Sequence, residues 1–451
     1  MRKENAIEII NPNEEKNLKV PKGMLIAGKN VYFSRDSYKT GLNNHFLVVG
    51  TSGAGKTRNI VIPNILLAEG SYLVSDPKGN LYKKLAPYLE AKGYQVKKVT
   101  FIHPEKSLRF NPIEYCKTTQ DIQRLAHTIV YALEGKKGKE NNRDPFWDEA
   151  AIILFCSLIA YLMETDEIPA EEKTIYTLSK LAEELKRNPG ERETQLEKRL
   201  RDHSMKYWCK TGKPSWAYKR FKEFNLAPDK TFCTILITSL AKLCSFDTEE
   251  LRVMLSGNDM DYTELGRKKT AVFVEVSDTD RSMDALVNLF YTVIMNQLCT
   301  YADEECKDSR LPVPVQFILD DFATNAKIDN FENMISNIRS RNISAMIMVQ
   351  SEAQLEEGYG KSAQTIIDNC NTYIFLGNNN PQTAKAIAER ADVRPQTVMN
   401  MPVGTEWIFR RGMKPIFTEC FDLEWFEKEK GFNKEKKTRK RRVREDQKEM
   451  E

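Results

Sequence analysis

Residues 45–62, HFLVVGTSGAGKTRNIVI, constrain this chain more than any other stretch, because they prescribe an apolar strand, a Gly-rich turn and a helix in that order. Gly50, Gly55, Lys56 and Thr57 fit G-x-x-x-x-G-K-[ST], with Thr51, Ser52, Gly53 and Ala54 between them. Small residues let successive backbone N–H groups curl around β- and γ-phosphates, and the helix N-terminus adds its partial positive charge. Lys56 then serves as a point charge for the terminal phosphates, and the Thr57 hydroxyl as a magnesium ligand. The stretch reads as a nucleoside triphosphate site.

Composition bounds the rest. A chain of 451 residues, 41% hydrophobic, can bury a large core and is long enough for two or three domains. The net charge is only +4, and residues 434–451 carry nine basic and five acidic side chains, so residues 1–433 are close to neutral. Any electrostatic grip on nucleic acid is therefore local. The nine cysteines include no C-x-x-C pair, and His45, His103, His127 and His203 show no ligand spacing, so reduced thiols and no structural metal are expected. The first residues lack an apolar signal region, and the longest apolar run, 150–163, has fourteen residues against the ~20 that span a bilayer. That run is expected to be a core helix, and no transmembrane helix is expected in this chain.

Along the chain, short strands are expected at MLIAG and NVYFS, then the phosphate loop, a strand at 71–75, a helix at 81–92 and a strand at 95–101. Strands alternating with helices imply crossovers and a mostly parallel sheet, whose carboxyl-end loops line the ligand crevice. Asp76 and Lys78 either approach the nucleotide there or simply form an Asp-Pro turn. From about 115 to 265 the strand pattern stops, and helices are expected at 120–133, 146–163, 174–187, 192–209, 215–225 and 229–245. Within them the aromatic and basic stretch 203–224 reads either as a substrate-facing surface or as a helix pair with Trp208, Trp216 and Phe221 in the core.

Alternation resumes with a strand at 270–276, a helix at 283–303 and a strand at 314–319 that ends in Asp320-Asp321. An acid at the end of an apolar strand, downstream of a phosphate loop, suits a second magnesium-handling element: Asp320 holds the metal through water and Asp321 orients or deprotonates the attacking water. A helix at 331–341 follows, carrying Arg339 and Arg341 as candidates for charge stabilisation across a subunit interface. The strand at 344–349 ends in Gln350, which either senses the γ-phosphate or caps the next helix. A strand at 372–376, a helix at 381–391 and a terminal hairpin at 406–418 complete the fold, and residues 434–444, with eight basic side chains and one acidic, read as a disordered tail for anionic lipid, nucleic acid or an acidic partner.

Several motifs together resemble the type IV coupling protein family: GTSGAGKT at 50–57, SDPKGNLY at 75–82, RFNPIEY at 109–115, DPFWDEAA at 144–151, ILDDFA at 318–323 and IMVQSEAQLEEGYG at 347–360. The resemblance spans about residues 40–420. It implies a RecA-like, mostly parallel P-loop domain formed by 1–114 and 266–427, an inserted all-α, substrate-facing domain at 115–265, and a basic tail at 428–451. It further implies an ATP- and Mg2+-dependent ATPase at the cytoplasmic face of the bacterial membrane, hexameric when active, that hands relaxase and its single-stranded DNA to the secretion-channel proteins. Arg339, rather than Arg341, resembles the family's residue ahead of the strand-end glutamine. Asp321 departs from the usual Glu, and the family's N-terminal membrane helices are lacking, so the membrane is expected to be reached through missing helices or a partner, and the isolated chain can be monomeric. Two other readings compete: a soluble DNA translocase of the septal-pump type, disfavoured by the helical insertion, and a nucleotide-gated receptor with little turnover, which Asp321 keeps open.

Overall fold

The computed structural model describes residues 9–132, 145–187, 193–277, 279–322 and 327–432. The basic segment 434–444, positions 144 and 323 of two motifs and most of the polar break near 135–145 lie outside the described residues.

Strands β1 (Ile9–Ile10), β2 (Met24–Gly28) and β3 (Val31–Ser34) pair antiparallel in the order β1-β3-β2. Nine further strands follow in the chain: β4 (Phe46–Val49), β5 (Ser71–Ser75), β6 (Gln95–Thr100), β7 (Thr270–Glu275), β8 (Val315–Leu319), β9 (Ile343–Val349), β10 (Thr372–Phe375), β11 (Thr405–Arg410) and β12 (Ile416–Glu419). They form one sheet in the order β12-β11-β10-β4-β9-β8-β5-β7-β6. Every neighbouring pair from β10 to β6 is parallel, and β11 and β12 add an antiparallel edge. The inner strands are buried along their whole length, the pattern a sheet shows when both faces are covered.

Alternate side chains of β4 feed two different apolar clusters. Leu47 and Val49 join the cluster that holds all the inserted helices, while Phe46 and Val48 face β2, β3, the phosphate-loop helix and the terminal helix Leu423–Glu429. Between β6 and β7 the described chain is helical: Thr119–Ala132, Phe146–Glu164, Ile175–Glu183, Gln195–Thr211, Trp216–Phe224, Asp229–Cys244 and Glu249–Met254 are its main helices. Phe146–Glu164 is long and apolar enough to cross a membrane, with mean hydropathy 1.7, yet 61% of its apolar window is buried inside the fold. Its Leu154, Phe155, Leu158 and Ile159 pack in the main core.

Three local expectations need correction. Trp208 is 57% exposed rather than in the core, because Gln195–Thr211 buries Leu196, Leu200 and His203 and turns Trp208 outward. The helix expected over 331–341 is two pieces, Phe331–Asn337 and a tight 3₁₀ turn Ile338–Arg341, closed by Asn342 at φ 65°. The phosphate-loop helix opens with a π-type turn, Lys56–Val61, in which the Ile62 N–H reaches back to Thr57 O. Pro63, two residues beyond that turn, has no N–H to offer the ladder.

The hairpin hides an unexpected acid. Glu406 of β11 is fully buried, and neither carboxylate oxygen has a hydrogen-bond partner. Burial pushes its pKa well above the usual carboxylate range. The folded-state pKa lies above the unfolded one, so the stability this group contributes is complete below about pH 4.3 and is lost as pH rises toward the folded value. Glu406→Gln, which cannot ionise, is expected to gain in melting temperature relative to the wild type as pH goes from 5 to 8. A difference that stays constant across that range contradicts the assignment.

Candidate functional site

The phosphate loop, the acidic pair and the polar strand end meet at one edge of the sheet because β4, β9 and β8 are neighbours in register. Val49 pairs with Val349 and Leu319 with Ile347, so the three chains leave the sheet side by side into Gly50, Gln350 and Asp320. Carboxyl ends of adjacent parallel strands are where an open α/β sheet binds ligands.

The loop is anchored at its base and left open at its tip. Gly50 N donates to Val349 O at 3.1 Å and Thr51 N to Gly377 O at 3.3 Å. A Cβ on Gly50 would lie 2.9 Å from that of Leu376, so only glycine lets the loop start flush against β10. Gly55 closes the curl at φ 98°, in the left-handed region. Thr51, Ser52 and Gly53 are exposed, so a ligand can reach the loop backbone.

Lys56 is 7% exposed and its ammonium donates to Gly50 O at 2.7 Å and Thr51 O at 3.2 Å, inside the curl. Burial lowers its pKa, opposed by the nearby Asp321 and Asp320 carboxylates. Thr57 Oγ1 donates to Asp320 Oδ2 at 2.5 Å, joining the loop to β8. Asp320 is 6% exposed, and burial raises its pKa; the Thr57 bond and Lys56 oppose the rise while Asp321 adds to it. A buried carboxylate that touches a hydroxyl and is costly to ionise is a donor set of hard oxygens, which fits a small divalent cation.

Asp321 follows with φ 51° and its N–H on Asp320 Oδ1 at 3.1 Å. The left-handed conformation supplies a physical reason for aspartate here, because Asp tolerates it better than Glu. Phe322 N continues the β8 pairing onto Met348 O at 3.0 Å, and the Phe322 ring stacks on Tyr359 at 5.3 Å and 10°. The Tyr359 hydroxyl accepts from Ile328 N at 3.0 Å, so the tyrosine near the end of IMVQSEAQLEEGYG braces both sides of the acidic turn. That bracing role was not read from the sequence, although the motif containing Tyr359 was. Gln350 is half-buried between the loop and the acids; its N–H is accepted by Gln354 Oε1 at 3.0 Å, and Ser351 rather than Gln350 caps helix Glu352–Tyr359.

Two expected groups are elsewhere. Arg339 lies ahead of β9, at the opposite edge of the sheet, with Nη2 donating to Ser37 O at 2.9 Å. Seven strand residues at ~3.3 Å each separate it from Gln350 by ~20 Å, so it does not meet Lys56 of its own chain. Arg341 is held by both oxygens of Asp303, at 3.0 and 2.7 Å. Of the two readings of Asp76, the structure favours the turn: its carboxylate accepts from Tyr82 N at 2.8 Å and caps helix Asn80–Ala91. RFNPIEY is likewise a joint, with Arg109 on Asp259 at 2.8 Å and Phe110 against Phe290 at 5.0 Å, binding the insertion to the sheet.

A Gly-rich loop, an adjacent hydroxyl–carboxylate pair and a polar strand end on a parallel sheet define a P-loop fold of the nucleotide-binding class. Comparison with known proteins narrows this: the family model for type IV secretory system conjugative DNA transfer matches residues 2–392. The chain belongs to that family. Its relatives include protein VirD4 of Rhizobium radiobacter, 25% identical over 366 residues, covering 78% of this chain and 49% of the relative. The type IV secretion system-coupling protein VirD4 of Bartonella quintana is 23% identical, covering 77% and 53%. The chain thus spans about half the length of these curated relatives. Among solved structures, the conjugative coupling protein TrwBdeltaN70 with sulphate superposes at a TM-score of 0.65, with 15% identity and coverage of 92% of this chain and 93% of that one. TrwB with the ATP analogue ADPNP gives 0.63, with 16% identity and 90% of each chain covered. The fold expected from the sequence, a RecA-like P-loop sheet with an inserted helical part, is the fold these neighbours share.

Proposed function

We propose that this chain is an ATP-binding and -hydrolysing coupling protein that recruits relaxase-bound single-stranded DNA and delivers it to the channel of a conjugative type IV secretion system. The observation that carries the reading is the Thr57–Asp320 contact at 2.5 Å beside the curl that holds Lys56. The backbone of residues 50–55 and Lys56 bind the phosphates, and Thr57 and Asp320 hold Mg2+. Bound there, the ion neutralises charge on the β- and γ-phosphates. Asp321 orients the attacking water, Gln350 senses the γ-phosphate, and Arg339 stabilises transition-state charge in a neighbouring subunit. Its place at the opposite edge of the sheet supports a role only in trans, hence a hexamer as the active form. Residues 1–114 and 266–427 make the nucleotide domain, 115–265 the substrate-facing helical domain and 428–451 a basic tail; the assembly works at the cytoplasmic face of the membrane.

Turnover in three proteins tests this. Asp321→Glu adds one methylene of reach toward water, at a cost on the order of 1 kcal/mol for holding a longer side chain left-handed. The account predicts faster ATP turnover in Asp321→Glu, with a slightly lower melting temperature, and none in Lys56→Ala. Equal, near-zero rates in all three, with ATP still bound by the wild type, would replace the motor with a nucleotide-gated receptor.

A further inference from the structure

At the amino edge of β6 and β7, on the far side of the sheet from the phosphate loop, a groove of about 730 Å³ opens between the strand starts and the inserted helices. Seven carboxylates and four cations line it. Several acids are already engaged: Asp259 by Arg109, Asp261 by Arg267 and Asp121 by Arg124. Glu304 and Glu305 stand apart from these. Both are exposed and close the 22-residue helix Asp284–Glu305, whose last turn carries no basic side chain. Carboxylates at a helix C-terminus add to the negative end of its dipole, a placement that costs several tenths of a kcal/mol per charge unless a cation approaches. The groove wall also presents the rings of Tyr115 and Tyr301, surfaces on which Lys and Arg stems pack and cations rest; Tyr301 already stacks with Arg267 at 4.9 Å.

The described chain ends beside this groove. Phe432 packs on Tyr88 at 5.7 Å, and Lys84 lies over its ring. Tyr88 is in the last turn of helix Asn80–Ala91, and a tight turn, closed by Tyr94 N on Leu89 O at 3.0 Å, leads directly to Gln95 at the groove's rim. Residues 433–451 follow, enough to reach ~60 Å if extended, and 434–444 contain eight basic side chains and one acidic.

We propose that this groove is the docking site of the chain's own basic segment, residues 434–444, which places its lysines and arginines against Glu304, Glu305 and the neighbouring acids. Docked there, the segment is withheld from nucleic acid and anionic surfaces; release exposes a polycation whose binding is unspecific and steeply salt-dependent. The proposal does not depend on the nucleotide chemistry.

Zero-length carbodiimide cross-linking of the full chain, read by mass spectrometry, tests it. Lys84 and Glu427, 2.7 Å apart, and Lys98 and Glu275, at 2.8 Å, provide internal positive controls. The expected result is intrachain links from Lys436, Lys437 or Lys440 to Glu304 or Glu305, lost at high salt. In the Glu304→Lys/Glu305→Lys variant, affinity for a random single-stranded DNA at low salt should rise about tenfold while the control links persist. Control links without any tail-to-groove link would overturn the proposal. So would links found only between chains, which would make the occupant a second copy, or a double variant with unchanged DNA affinity.

Discussion

Lys56→Ala is expected to lower ATP turnover by at least about 10²- to 10³-fold, the scale on which loss of one preorganised donor to developing charge is felt. Its effect on stability should be small, because two terms oppose each other. The ammonium gives up its bonds to Gly50 O and Thr51 O, worth about 1.5–3 kcal/mol each at most for a charged donor, but it also ceases to be a desolvated cation. The exposed loop lets water replace those bonds. A melting temperature close to the wild type, together with lost turnover, separates a phosphate-binding role from a structural one; an unfolded variant would show that the loop depends on Lys56 for its shape.

The second large effect belongs to Arg339. On a hexamer-forming scaffold, Arg339→Ala should remove the rate that assembly adds, about 10³- to 10⁵-fold where a finger acts across an interface, and leave the unassembled chain's rate unchanged. Mixing Arg339→Ala with Lys56→Ala subunits should restore part of the activity, since the first supplies an intact loop and the second an intact arginine. No recovery on mixing, or an equal loss in the unassembled chain, would place the effect of Arg339 in its bond to Ser37 O and the packing around it.

These tests reflect what could be read ahead of the structure. The phosphate loop was legible because its chemistry is local: spacing of Gly50, Gly55, Lys56 and Thr57 specifies both shape and ligand. The parallel sheet followed from alternating strand and helix patterns, and the inserted helices from their periodicity, within a few residues at most ends. What stayed hidden depends on strand order. No local pattern places β9 between β4 and β8, which is what sets Gln350 between the loop and Asp320. Asp321's left-handed backbone gives an aspartate a conformational reason at a position where the family resemblance leads one to expect glutamate. Tyr359 reads as a helix residue until the fold stacks it on Phe322. Trp208 shows the reverse error, an aromatic side chain assigned to the core that the helix turns to solvent.

The most direct measurement is Mg2+-dependent ATP hydrolysis by the chain alone and by the chain on a hexamer-forming scaffold, each with and without single-stranded DNA. The account predicts a low rate for the chain alone and a rate on the scaffold that rises further with DNA. Full, DNA-independent turnover by the unassembled chain would contradict a site completed in trans, and absence of turnover in every arm would contradict the motor itself.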